Sequence, residues 1–179
     1  MSRLLWSFSL RRSILSVLTL LAVLAGIVAL ATPASADGGP RARLKGATAR
    51  YHSVNRAVTD GFVPSEECAE LPGVGGMGYH YVNPERLQDG VVDPARPDIL
   101  LYVKERGRMR LAGVEWFAVD PDQDLSTDAG RPELFGQPFD GPMPGHEPGM
   151  PIHFDLHAWV WKHNPTGTFE PWNPRVSCT

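Results

Sequence analysis

Residues 99–119 read Ile99-Leu100-Leu101-Tyr102-Val103-Lys104-Glu105-Arg106-Gly107-Arg108-Met109-Arg110-Leu111-Ala112-Gly113-Val114-Glu115-Trp116-Phe117-Ala118-Val119. Two apolar runs, rich in aliphatic and aromatic residues, flank a polar turn that contains glycine. That pattern is a β-hairpin, with strands over residues 99–104 and 111–119 about the turn 105–108. Toward the C-terminus, residues 152–162 form a further strand, stopped by Asn164-Pro165-Thr166-Gly167. Toward the N-terminus, Tyr79-His80-Tyr81-Val82 is a short strand ended by Asn83-Pro84. Residues 71–78 are too rich in glycine for a helix interior and match no phosphate-cradling pattern, so a plain loop is expected there. Residues 83–98 and 130–151 carry Pro and Gly at short intervals and are expected as long loops.

One helix precedes these strands. From residue 47 to 60 the apolar side chains Ala47, Tyr51, Val54 and Val58 recur near the 3.6-residue period, with Arg50, Asn55, Arg56 and Thr59 between them. Gly61 can close the helix in the left-handed conformation, and Phe62 can fold back on its last turn. The fold class is therefore α+β: an N-terminal helix on a mainly antiparallel sheet, with long Pro/Gly-rich loops. A single domain is expected over residues 47–179, after a flexible lead-in at 37–46.

Residues 1–36 read as an export signal. Arg3, Arg11 and Arg12 make a positive start, residues 14–31 are uncharged and apolar, and Ala34-Ser35-Ala36 offers a small-x-small cleavage site. Cleavage after Ala36 predicts a secreted or extracytoplasmic chain of residues 37–179 with no stable membrane span. An uncleaved anchor is the alternative, and the pair Arg11-Arg12 also permits twin-arginine export. Removing three Arg and no acid from a chain of net charge −3 leaves −6. Such a surface disfavours nucleic acid and anionic membranes but not a metal cation. The two cysteines, Cys68 and Cys178, are expected as one disulfide in an oxidising compartment.

The chemistry concentrates in the last strand. Alternation puts Ile152, Phe154, Leu156, Ala158 and Val160 on one face and His153, Asp155, His157, Trp159, Trp161 and His163 on the other. Imidazoles and a carboxylate two residues apart can share a metal ion such as zinc, copper or iron, line a polar ligand pocket, or simply pack. Glu115 is the only charge in its apolar strand, and a buried carboxylate needs a cation, hydrogen bonds or a proton. His80 stands between two tyrosines. If the three strands are neighbours, His80, Glu115 and His157 converge on one site, with Trp159 or Trp161 at its wall. Two weaker patterns accompany it. Asp120 to Asp128 spaces oxygens like a calcium loop, but Leu125 stands where glycine belongs and Arg131 where a bidentate Glu belongs. Met143, His146 and Met150 form a soft set in a Pro/Gly loop. No GxSxG or HExxH motif is present.

The segments Gly76-Met77-Gly78-Tyr79-His80-Tyr81, Val114-Glu115-Trp116, Leu134-Phe135-Gly136-Gln137, and Leu156-His157-Ala158-Trp159 with Asn164-Pro165 and Trp172-Asn173-Pro174 together resemble a family of small exported bacterial proteins of uncharacterised function. The resemblance spans most of residues 37–179, implies no activity, and favours His80, Glu115 and His157 over loop residues. The reading is an exported domain that binds a small ligand or metal ion at a His/Glu/Trp-lined site. The alternatives are a metal-dependent enzyme using the same residues and a surface interaction module with a Trp-rich face.

Overall fold

The computed structural model describes residues 39–179, the side chain of Glu66 excepted; the export-signal reading of residues 1–36 lies outside them. Six antiparallel strands form one sheet in the order β1-β2-β3-β4-β8-β7. The strands are β1 (Val63–Leu71), β2 (Gly75–Val82), β3 (Ile99–Glu105), β4 (Arg108–Val119), β7 (Asp140–Met143) and β8 (His153–Ala158). A two-residue pair, β5 (Glu133–Leu134) with β6 (Gln137–Pro138), stands apart from that sheet. The β3–β4 hairpin lies at the centre, as expected, and β4 pairs with β8 from Val114↔Ala158 to Val119↔His153.

The continuous helix expected over residues 47–60 is replaced by three short pieces. They are α1 (Pro40–Thr48), a 3-10 turn (Ala49–His52) and α2 (Val54–Thr59). Ser53 breaks the run: its backbone is extended, and its hydroxyl accepts the Arg56 N–H to cap α2. The break resets the helical phase, so Ala57 is buried and Val58 is exposed. The expected flexible lead-in is corrected as well. Pro40 opens α1 at a first-turn position where its missing N–H costs nothing, and Leu44 is completely buried. Gly61 does adopt a positive φ of 92°, and the Phe62 N–H returns to the Ala57 carbonyl.

These pieces pack on one face of the sheet. Leu44, Tyr51, Ala57 and Phe62 meet Tyr81, Leu100, Tyr102, Val114, Trp116, Phe154 and Leu156 in a single core. Fully burying a large apolar side chain contributes roughly 1.5–3 kcal/mol, so this face anchors the fold. It also fixes which residues point the other way: His80 beside Tyr81, Glu115 between Val114 and Trp116, and His157 between Leu156 and Ala158.

The glycine-rich stretch taken for a loop instead enters β2. Gly78 has φ of 88°, and a Cβ there would lie 2.3 Å from the Tyr102 carbonyl oxygen. Glycine in this strand permits close backbone approach. β1 has a polar sequence and carries Pro64, which suits its place at the edge of the sheet. The expected loop 83–98 contains α3 (Pro84–Asp89), whose N-terminus is capped when the Asn83 side chain accepts the Arg86 N–H. The last strand ends at Ala158 rather than at 162. The Trp159 N–H turns to Thr168, while the Trp161 and Lys162 N–H groups both reach the Ala112 carbonyl. Alternation therefore does not extend to Trp159, Trp161 and His163.

Cys68 in β1 is joined to Cys178, 110 residues later. The C-terminal segment is also held by the Gly76↔Asn173 bridge and by the Cys178 N–H donating to Glu70. Among the described residues, no helix is long and apolar enough to cross a membrane.

Candidate metal centre

His80, Glu115 and His157 come together on the sheet face opposite the helical pieces. Glu115 and His157 are direct cross-strand partners. His80 lies on β2, two strands from β4, and reaches across β3. Its Nε2 is 3.3 Å from Glu115 Oε2. His157 Nε2 is 3.5 Å from the same oxygen. One potential ligand atom from each residue lies within 4.8 Å of the others. Glu115 and His157 are buried, whereas the His80 side chain keeps 21% of its surface exposed. The cluster thus has two buried members and one that reaches solvent.

The polar atoms at its centre are poorly served by the protein. Glu115 Oε2, His157 Nδ1 and His157 Nε2 are all buried without a hydrogen-bond partner. Buried polar atoms are nearly always paired, because each unmade bond costs about 1–3 kcal/mol. Charge compensates in part. Burial alone would raise the Glu115 carboxyl, but the His157 imidazolium and then His80 outweigh it and hold it down to about 2. Burial alone would lower His157; the Glu115 and Asp155 carboxylates instead raise it to about 9.

Two further carboxyls flank His157. Asp155 Oδ1 lies 3.5 Å from His157 Nδ1, on the side of the ring away from Glu115. Asp140 of β7, an exposed residue, sits opposite Asp155 in register, and its carboxyl is raised by partial burial and then by the Asp155 charge. No sequence signal marks Asp140, since its approach depends on the unforeseen β7–β8 pairing. Asp98, next to the first residue of β3, is also buried. It accepts the Phe117 N–H through Oδ2 while Oδ1 has no partner, and burial pushes it up to about 6.

The other candidates lie elsewhere or are engaged. His153 is buried, stacked on Phe117 at 4.7 Å, with Nδ1 3.0 Å from the Pro151 carbonyl. The His146 ring meets His153 edge-on. His163 is exposed. The Trp159 indole Nε1–H donates to the Glu170 carbonyl, and the ring packs with Val103, Ala112 and Val176. Trp161 donates to Thr48 and lies against His52 of the 3-10 turn. In the Asp120–Asp128 stretch, Thr127 donates to Asp122 and Ser126 to Asp124, so those carboxylates are used by the loop itself.

No family model, no curated protein and no solved structure matches this chain. Its function is therefore read from the site, which is where function resides on any fold.

Proposed function

We propose that this protein binds a divalent transition-metal ion through His80, Glu115 and His157. The observation that carries the proposal is the pair of buried, unpartnered atoms Glu115 Oε2 and His157 Nε2, 3.5 Å apart and with His80 Nε2 3.3 Å from the same oxygen, gathered where one cation would satisfy them together. Imidazole nitrogen and carboxylate oxygen suit zinc, and also iron or copper. Zinc bonds of roughly 2.0–2.1 Å in a tetrahedron put neighbouring ligand atoms roughly 3.3–3.4 Å apart. The two Glu115–histidine separations, 3.3 and 3.5 Å, are close to that edge length.

Three protein ligands leave a coordination position free, as in catalytic rather than structural zinc sites. The partial exposure of His80 gives that position a route to solvent and favours, as second reading, a metal-dependent enzyme using the same residues. A Trp-rich interaction face has less support, since every tryptophan among the described residues is buried or half-buried. The signal-like sequence of residues 1–36 and the Cys68–Cys178 bond support export to an oxidising compartment.

Elemental analysis after dialysis against zinc, and separately against iron(II) and copper(II), tests the proposal. One tightly held ion per chain is expected, lost in His157→Ala. A chain that retains no ion from any of the three would refute it.

A further inference from the structure

The helical side of the sheet carries a second cluster of a different kind. A pocket of about 390 Å³ opens between the end of α1, the 3-10 turn, α3 and the loop before β3. Arg50, Arg86 and Arg96 line it, with Gly46, Ala47 and Tyr51. Three guanidiniums around one cavity are unexpected on a chain whose residues 37–179 carry −6.

Local carboxylates neutralise them only in part. Asp60 is shared between Arg50 at 3.5 Å and Arg56 at 3.2 Å, and Arg96 pairs with Asp89 at 2.6 Å. Arg86 has no carboxylate within 4 Å among the described residues. Its guanidinium donates to the Pro97 carbonyl at 2.8 Å and to the Tyr51 hydroxyl at 3.4 Å, and stacks over the Phe62 ring. Arg50 donates to the same Tyr51 oxygen at 2.8 Å. Two cations are therefore drawn to one neutral phenol that cannot offset their repulsion. Of the three arginines that line the pocket, Arg50 and Arg96 each have a carboxylate partner, and the Arg86 guanidinium is left without one within 4 Å among the described residues.

We infer that this pocket is an anion site that takes a phosphate group, free or as the ester of a small molecule. The Arg86 fork, fixed by the Pro97 carbonyl and the Tyr51 hydroxyl, is arranged in advance for phosphate oxygens, and Arg50 and Arg96 stand beside it at the pocket wall. The cavity is within the size range of small-ligand sites. The site is separate from the His80–Glu115–His157 cluster, which lies on the other face of the sheet, and it stands without the metal proposal.

Calorimetric titration of the full chain with inorganic phosphate, and separately with glycerol phosphate, at constant ionic strength tests the inference. Saturable binding is expected below about 10 mM, and Arg50→Gln/Arg96→Gln should weaken it at least tenfold. Tighter binding of the ester identifies an organic phosphate as the occupant; equal or weaker binding identifies free phosphate. Arg86→Lys keeps the charge but loses the fork, and should weaken binding even if the double variant folds poorly. Absence of saturable binding to the wild-type chain, or unchanged affinity in Arg86→Lys, would overturn the site.

Discussion

His157 Nε2 lies 3.5 Å from Glu115 Oε2 across the β4–β8 ladder, and neither buried atom has a hydrogen-bond partner. An ion pair so placed is strongly coupled but incompletely satisfied. Removing one partner of a buried pair typically costs 3–5 kcal/mol, because the other charge is left alone. Glu115→Gln should therefore both abolish metal retention and destabilise the metal-free protein. His80→Ala, at the solvent-reaching end, should weaken metal binding with a smaller loss of stability. Denaturant unfolding beside elemental analysis separates the two effects.

Proton linkage gives a second expectation. His157 is raised from 6.5 to about 9, so its contribution to the metal-free fold is complete below about 6.5 and is lost as pH rises through about 9. Glu115 is lowered from 4.5 to about 2, so its contribution is complete above about 4.5 and is lost as pH falls through about 2. Metal-free stability should therefore fall as pH rises from about 6.5 toward 9. Replacing His157 with Gln should remove that slope. Because imidazole must be neutral to ligate, metal binding at pH 7 should release about one proton, measurable by calorimetry in buffers of different ionisation heat.

Asp155 faces His157 Nδ1 and is placed to orient the ring as carboxylates commonly orient metal-bound histidines. Asp155→Asn should weaken metal affinity about 10–100-fold without eliminating it. A competition titration with a chromophoric chelator measures the change, and unchanged affinity would remove Asp155 from this role.

The Cys68–Cys178 bond closes a loop of 110 residues, for which the chain-entropy picture gives roughly 4–5 kcal/mol. Cys68→Ser/Cys178→Ser should lower unfolding free energy by a few kcal/mol. The same variant should retain its metal ion, since neither cysteine belongs to the cluster.

The parts legible in sequence are those where side-chain alternation is strong. The hairpin about Gly107 and the apolar face Phe154-Leu156-Ala158 could be read directly, and the latter puts His157 on the opposite face of its strand; that Glu115 shares that face follows only from the β4–β8 pairing. Bringing His80 to the same place required the order β2-β3-β4-β8, which sequence does not state. Other features depended on tertiary context. Ser53 is an ordinary helix-surface residue until its backbone extends. Gly78 signals a loop until the carbonyl of Tyr102 is seen to need the space. Residues 63–71 are polar because β1 is an edge strand. Trp159 leaves the strand because Thr168 takes its N–H, a partner invisible to periodicity. Asp140 comes opposite Asp155 only through the β7–β8 pairing.

Anomalous diffraction from crystals of the zinc-loaded protein tests the metal centre most directly. The expected result is one anomalous peak roughly 2.0–2.2 Å from a ligand atom of each of His80, Glu115 and His157. Zinc bound only at other residues, or a cluster that stays empty at saturating zinc, would contradict it.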